Sequence, residues 1–193
     1  MTWIKTYHNN VFSYERSELN EIYVSDIAHA LSKEQRFSGH LQESWTVGQH
    51  TLLVRKLVEL SGGKDKQMFI ALHHDSAEAY MKDLPTPLKS LLPDYNQLYK
   101  KVENQVAERF DIKLNPLDPL VSKQDHKASY IEDTLFSKKS SKTSWHSFTK
   151  EDYLKLNKET HGAVDKYISY LLTLSNDAVA SLFLQYHYNP KRL

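Results

Sequence analysis

Four residues with metal-binding side chains lie at three separate places in the sequence: His50, the adjacent pair His74 and Asp75, and Asp125. Apolar spacing around each predicts a helix, so three helices would have to converge on one point. The pair lies in an apolar context, where an unpaired carboxylate is costly to bury, and a shared divalent cation would neutralise it. A lone histidine on such a helix is more often a hydrogen-bonded boundary residue. Only the combination favours a metal site.

The composition narrows the class of protein. With 193 residues, 40% of them hydrophobic and 25% charged, the chain is typical of a globular protein, and one domain over 1–193 is expected. It contains no cysteine, so a metal would be bound by His, Asp and Glu. A net charge of +1 gives no field that favours stable nucleic-acid binding. No apolar run is long enough to span a bilayer, and a cytoplasmic protein is expected.

Helical periodicity dominates from residue 22 onward. Residues 1–20 form an N-terminal extension in which the Asn9-Asn10 pair predicts a small β-hairpin. The Leu84-Pro-Thr-Pro87 stretch predicts a loop without regular helix, and the Ser- and Lys-rich stretch 137–148 predicts an exposed loop. C-terminal helices are expected over 150–193. The predicted helices cover about 22–31, 46–60, 65–81, 93–110, 120–136, 151–174 and 177–188.

Four segments resemble the HD-domain phosphohydrolases, and more closely their 5′-deoxynucleotidase-like branch with its phage and prophage members. The resemblance covers roughly residues 3–136 and is most specific in the third and fourth segments together. The segments are Asp26-Ile-Ala-His-Ala-Leu-Ser32, Arg36-Phe-Ser-Gly-His-Leu41, Trp45-Thr-Val-Gly-Gln-His50, and His74-Asp-Ser-Ala-Glu-Ala-Tyr80 running into Asp83-Leu-Pro-Thr-Pro-Leu-Lys89.

The resemblance implies an all-α HD-domain helical bundle in which His50, His74, Asp75 and Asp125 bind one divalent ion. The family's last ligand lies in a Val-Lys-x-x-Asp helix with a Glu seven residues later. Here the matching stretch is Val121-Ser-Lys-Gln-Asp125, so the lysine is displaced by one position, and Glu132 follows. Asp118 and Asp133 are therefore alternative fourth ligands.

A mixed set of imidazoles and carboxylates suits Mn²⁺, Co²⁺, Fe²⁺, Zn²⁺ or Ni²⁺ better than Mg²⁺. Such an ion would activate water and neutralise phosphoryl oxygens without a protein nucleophile. Glu78 follows His74 by four residues, so on a continuous helix its carboxylate would lie on the same face, and we expect it to act as general acid or base. Asp83 is expected to orient the leaving oxygen or to read the sugar. The structural alternative for Glu78 is a solvated carboxylate on a helix, and the one for Asp83 is a turn residue at a helix end.

The same segments supply candidate substrate contacts. Arg36 is expected to clamp the phosphate, because a guanidinium binds phosphate oxygens bidentately, and its substitution by Ala is expected to leave metal occupancy intact. Phe37 would pack on the base or sugar, His40 would add a donor, and Lys89 would be a second cation. Trp45 either lines the nucleoside pocket or is a packing residue at a helix start.

The function predicted from these residues is removal of the 5′ phosphate from deoxynucleoside monophosphates. The alternative is a deoxynucleoside triphosphate triphosphohydrolase of phage type, for example acting on dATP, in the host cytoplasm if phage-encoded. A catalytically silent nucleotide-binding protein is disfavoured by the intact ligand set, and a nucleic-acid-binding protein by the near-neutral charge. The expected partner is a small deoxynucleotide, and a homo-oligomer is expected.

Overall fold

A computed structural model of the chain describes residues 2–138 and 148–190. The predicted all-α bundle with a small N-terminal hairpin is confirmed. Most of the stretch predicted as an exposed loop at 137–148 lies outside the described residues. The helices are α1 (Val24–Leu31), α2 (Val47–Leu60), α3 (Asp65–His73), α4 (Glu78–Met81), α5 (Thr86–Lys89), α6 (Pro93–Phe110), α7 (Pro119–Phe136), α8 (Lys150–Glu159), α9 (Ala163–Leu172) and α10 (Asn176–Tyr188).

Helix α2 lies at the centre of the bundle and packs against α3, α7, α9, α10 and α1. It is buried on nearly every side because its apolar residues are not confined to one stripe. Thr46 caps its start, since the Thr46 hydroxyl accepts from the Gln49 backbone N–H and the Gln49 side chain accepts from the Thr46 N–H. This capping box fixes where the helix begins and therefore which of its faces carries His50.

The N-terminal hairpin pairs strand β1 (Trp3–Lys5) with strand β2 (Val11–Ser13) in antiparallel register. Asn9 in the connecting turn has a φ of 64°, which an asparagine tolerates better than most residues. Phe12 of β2 stacks on Tyr80 with ring centroids 4.1 Å apart. The hairpin is thereby attached to the segment that follows the His74-Asp75 pair.

The helix predicted over 65–81 is interrupted in its middle. After α3 ends at His73, the backbone changes to i→i+3 hydrogen bonds, with the Ser76 N–H donating to the His73 carbonyl at 3.0 Å. The side chain of His73 also contacts the Ser76 hydroxyl at 3.0 Å and His187 of α10 at 2.9 Å. The pair of candidate ligands therefore lies in a tight turn and not in mid-helix.

Two other predicted boundaries were wrong. The helix predicted over 151–174 is two helices, α8 and α9, because His161 and Gly162 adopt left-handed φ angles of 52° and 76°. The stretch predicted as a loop at 84–87 contributes Thr86 and Pro87 to the single turn of α5. Proline is tolerated there because the first helical turn has no backbone hydrogen bond to lose. No helix in the described part of the chain is long and apolar enough to span a membrane.

Candidate metal centre and active site

Three elements bring the four predicted ligands together. His50 projects from α2, His74 and Asp75 come from the turn after α3, and Asp125 comes from α7. The His50 Nε2 atom lies 3.0 Å from Asp125 Oδ1 and 3.5 Å from Asp75 Oδ2. The His74 Nε2 atom lies 3.2 Å from Asp75 Oδ2 and 3.7 Å from Asp125 Oδ1. The ligand atoms of His50, His74 and Asp125 thus all lie within 4.8 Å of one another, and Asp75 contacts both imidazoles.

Both imidazoles are held from behind through Nδ1. The Nδ1 of His50 is 2.6 Å from Glu132 Oε1, and the Nδ1 of His74 is 2.7 Å from the Ala71 carbonyl oxygen. A carbonyl oxygen only accepts, so Nδ1 of His74 carries the proton that it donates. Such contacts fix the ring tautomer and leave Nε2 for a metal.

The residues fit a divalent ion. The Nε2 atom of His74 is buried and has no hydrogen-bond partner among the described residues. A buried polar atom without a partner is costly, and coordination to a metal would satisfy it. Around an ion with bonds of about 2.1 Å, neighbouring ligand atoms are roughly 3.0–3.4 Å apart. The distances of 3.0–3.7 Å in the cluster are close to this spacing.

Electrostatics favour a cation at the same point. Burial lowers the pKa of His50, but Glu132 and Asp125 raise it to about 9. Burial likewise lowers the pKa of His74, and Asp75 and Asp125 raise it well above its usual range. Burial raises the pKa of Asp75, but the two imidazoles lower it to about 2. The carboxylates therefore make the electrostatic potential at the cluster negative, and such a potential attracts a cation.

The alternative fourth ligands are engaged elsewhere. Asp118 caps the start of α7 by accepting from the backbone N–H of Leu120, and Asp133 accepts from the Ser137 hydroxyl at the other end of that helix. Neither belongs to the group of His50, His74 and Asp125 found among the described residues. Asp125 is the residue of α7 that faces the imidazoles.

Glu78 lies at the start of α4 with only 3% of its surface exposed. Its Oε1 atom accepts from the Lys89 ammonium at 3.0 Å, whereas Oε2 is buried without a hydrogen-bond partner among the described residues. Burial, together with the nearby carboxylates of Asp75 and Asp83, raises the pKa of Glu78 well above its usual range. The turn before α4 thus still places Glu78 beside the cluster, although the continuous helix assumed for it is absent.

Arg36, which the sequence predicts to clamp the phosphate, already has protein partners. Its Nε donates to Glu132 Oε2 at 2.8 Å and its Nη2 donates to the Ser129 hydroxyl at 3.0 Å. Its Nη1 lies 3.8 Å from Asp83 Oδ2 and 4.0 Å from Asp75 Oδ2. One face of the guanidinium is therefore committed to α7, and only Nη1 is directed toward the site.

Three further predicted substrate contacts, Phe37, His40 and Trp45, lie in different surroundings. Phe37 follows Arg36 with a left-handed φ of 52°, and its ring lies 5.5 Å from the Arg36 guanidinium carbon. His40 is exposed, and among the described residues no contact joins it to the cluster. Trp45 is 1% exposed and packs on Phe136, which favours the packing alternative over a place in the wall of the nucleoside pocket.

Asp83 is held by an unusual backbone. Lys82, just before it, has a φ of 73° and a ψ of 151°, a conformation that costs a non-glycine residue on the order of 1–3 kcal/mol. The Glu34 carboxylate contacts both the Lys82 ammonium and, at 3.4 Å, the Asp83 backbone N–H. Burial raises the pKa of Asp83, and the guanidinium of Arg36 opposes the shift. This arrangement directs the Asp83 carboxylate toward Arg36.

Glu132 contacts both His50 and Arg36, and no role for it is predicted from the sequence. It lies on α7, two helical turns after Asp125, and is 0% exposed. Burial raises the pKa of Glu132, but Arg36 and His50 lower it below its usual value, so it is an anion. The available signal was its seven-residue spacing from Asp125, which places both carboxylates on one face of the helix.

Residues 19–118 match the family described as 5′-deoxynucleotidase YfbR-like. The uncharacterized protein YfdR of Escherichia coli (strain K12) is 38% identical over 112 residues, which cover 58% of this chain and 60% of that protein. A 5′-deoxynucleotidase of Pasteurella multocida (strain Pm70) is 31% identical over 127 residues, covering 64% of this chain and 52% of the relative. A 5′-deoxynucleotidase of Vibrio vulnificus (strain YJ016) is 29% identical over 99 residues, covering 50% and 40%.

The chain thus spans about half the length of the curated relatives it matches. The family match contains His50, His74, Asp75, Glu78 and Asp83, and it ends before Asp125 and Glu132. The assignment of α7 to the site therefore depends on geometry, which the structure supplies independently of the comparisons.

Proposed function

The chain belongs to the YfbR-like 5′-deoxynucleotidase family, and we therefore propose that it is a phosphohydrolase that removes the 5′ phosphate from deoxynucleoside monophosphates. The observation that supports this proposal most is the convergence of two imidazole Nε2 atoms and two carboxylates beside the buried carboxyl of Glu78. The reaction consumes water, which attacks phosphorus while the bond to the 5′ oxygen breaks. The products are a deoxynucleoside and inorganic phosphate.

His50, His74, Asp75 and Asp125 are proposed to hold one divalent transition-metal ion. The two neutral imidazoles favour Mn²⁺, Co²⁺, Fe²⁺, Zn²⁺ or Ni²⁺ over Mg²⁺, which prefers oxygen ligands. When bound, such an ion supplies a water of lowered pKa and neutralises phosphoryl oxygens. The residues of the chain supply orientation and proton transfer.

Glu78 is proposed to transfer the proton. Its Oε1 is held by Lys89, which fixes the carboxyl plane, and its Oε2 is buried without a partner among the described residues. Its raised pKa brings the carboxyl closer to the working pH, where a general acid or base is most effective. Asp83, directed toward Arg36, is placed to orient the leaving oxygen or the sugar.

The supply of positive charge favours a monophosphate. Arg36 is paired with Glu132 and Lys89 with Glu78, so only part of each cation's hydrogen-bonding capacity is available to a substrate. Lys82 is paired with Glu34 and is largely exposed. A monophosphate needs one cation opposite the metal, whereas a triphosphate carries about four negative charges and needs several.

The test is a panel of deoxynucleoside mono-, di- and triphosphates assayed with Mn²⁺, Co²⁺ and Mg²⁺, with products separated by chromatography. We expect inorganic phosphate from the monophosphates, loss of turnover in a chelator, and its recovery with Mn²⁺ or Co²⁺. Asp75→Asn should abolish turnover, and Asp177→Asn, which neutralises an exposed carboxylate on α10, should not.

Triphosphate as the only product would contradict the monophosphatase and leave the metal site standing. Full activity in chelator would contradict the metal site itself. The cytoplasmic location and the self-association expected from the sequence stay predictions.

A further inference from the structure

Glu132 joins the candidate metal centre to the candidate phosphate contact. Its carboxylate is fully buried and each oxygen has a different partner. Oε1 lies 2.6 Å from His50 Nδ1, and Oε2 accepts from Arg36 Nε at 2.8 Å. Ser129, one turn earlier on α7, accepts from Arg36 Nη2 at 3.0 Å. One short segment of α7 therefore contacts both groups.

Each contact determines which atom faces the site. Because a carboxylate accepts only, Nδ1 of His50 carries a proton and its Nε2 is directed toward Asp75 and Asp125. Because Nε and Nη2 of Arg36 are used on α7, its Nη1 is the nitrogen left near Asp75 and Asp83. The orientation of a metal ligand and that of a cation are set by the same carboxylate.

We propose that Glu132 is a positioning residue for both halves of the reaction site: it holds His50 in the metal-binding tautomer and holds Arg36 with Nη1 toward the substrate phosphate. This inference rests on the proposed function. It also changes the prediction made from the sequence for Arg36, whose loss would leave Glu132 Oε2 buried without its cation while Oε1 still contacts a metal ligand.

The Glu132→Gln substitution tests the idea because an amide has one accepting oxygen and one donating nitrogen. It cannot accept from His50 and from Arg36 at once. If the amide nitrogen faces His50, the ring proton must move to Nε2 and block the metal. The opposite orientation would set the amide nitrogen against the guanidinium donor, so we expect the oxygen to accept from Arg36 and the nitrogen to face His50. The tautomer of His50 then changes with almost no change in side-chain shape.

The experiment measures binding, not turnover. Co²⁺ is titrated into apo protein and followed by its visible absorption, and inorganic phosphate is then titrated into the Co²⁺-loaded protein. For Glu132→Gln we expect a loss of about 10- to 100-fold in Co²⁺ affinity with an altered spectrum, and weaker phosphate binding. Ser129→Ala, which removes the acceptor for Arg36 Nη2, should weaken phosphate binding and leave Co²⁺ affinity unchanged. Asp133→Asn, on the same helix, is the matched control and should change neither.

Thermal unfolding shows whether each variant is folded. A measurement on the wild-type protein is independent of that outcome: in the Zn²⁺-loaded form, a long-range ¹H–¹⁵N spectrum should show His50 protonated at Nδ1. Wild-type Co²⁺ affinity and spectrum in a folded Glu132→Gln, or a His50 ring protonated at Nε2, would overturn the inference and leave the proposed function intact. Failure of the wild type to bind Co²⁺ would instead contradict the proposed metal site.

Discussion

Replacing Glu78 by Gln separates proton transfer from metal binding. The side chain is buried, Oε1 accepts from Lys89 at 3.0 Å, and Oε2 has no hydrogen-bond partner among the described residues. Gln keeps the shape of the side chain and an oxygen for Lys89, and it removes only the titratable group. We therefore expect the metal ligands to be undisturbed while the proton-transfer step fails.

The expected magnitude follows from these contacts. General acid or base catalysis by a positioned side chain contributes about 100- to 10,000-fold, so kcat should fall at least about 100-fold, which corresponds to ~2.7 kcal/mol in the activation barrier. Because the bond to Lys89 is retained and no cavity is created, the free energy of unfolding should change by less than about 1 kcal/mol. KM should change little, because the removed group acts in the transition state.

The assay compares wild type, Glu78→Gln and Glu108→Gln, which changes an exposed carboxylate on α6. Phosphate release gives kcat and KM, mass spectrometry gives bound metal, and thermal unfolding gives stability. Loss of metal together with activity would show that Glu78 is a ligand. A kcat within about threefold of wild type would show that another group transfers the proton.

Three further outcomes are expected. Removing the metal should lower the thermal midpoint by roughly 5–10 °C, since a ligand at 100 times its Kd adds about 2.7 kcal/mol; an unchanged midpoint would contradict tight binding. Arg36→Ala should cost about 3–5 kcal/mol in urea unfolding by leaving the buried Oε2 of Glu132 without its cation, and an effect on KM alone would contradict this. Gly48→Ala should cost about 1–3 kcal/mol, because a Cβ would lie 2.9 Å from Val179 Cγ1; unaltered stability would show that the contact relaxes.

The predicted ligands lie in short stretches whose residue types carry the signal. The His74-Asp75 pair, Glu78 and Asp83 fall within ten residues. They are therefore close in space in any compact backbone, even though the continuous helix assumed for them was wrong. The break after α3 could not be predicted locally, because His73 contacts Ser76 on one side and His187, 114 residues away, on the other. The break at Gly162 carried a local signal that the 3.6-residue periodicity outweighed.

The pairing of Arg36 with Glu132 shows a different limit of sequence reasoning. The two residues are 96 positions apart, and nothing in the spacing of either segment indicates their contact. Residue type alone favoured a phosphate clamp, because arginine binds phosphate and carboxylate by the same two-pronged geometry. Trp45 is ambiguous in the same way, since an aromatic residue at a helix start suits a pocket wall and a core equally. For both residues, the burial of the side chain and the identity of its contact partner decide between the two roles. Both of these depend on the fold and not on the local sequence.

Charge in the assembled site bears on the choice between mono- and triphosphate. With both imidazoles neutral, as metal ligands must be, five carboxylates face two cations and leave three net negative charges: Asp75, Glu78, Asp83, Asp125 and Glu132 against Arg36 and Lys89. One divalent ion cancels two of them. A phosphate monoester then adds about two negative charges to a site that is already negative, and a nucleoside triphosphate adds about four. Since unpaired charge in a buried site is strongly unfavourable, the larger anion requires cations beyond those that the described residues place around the cluster.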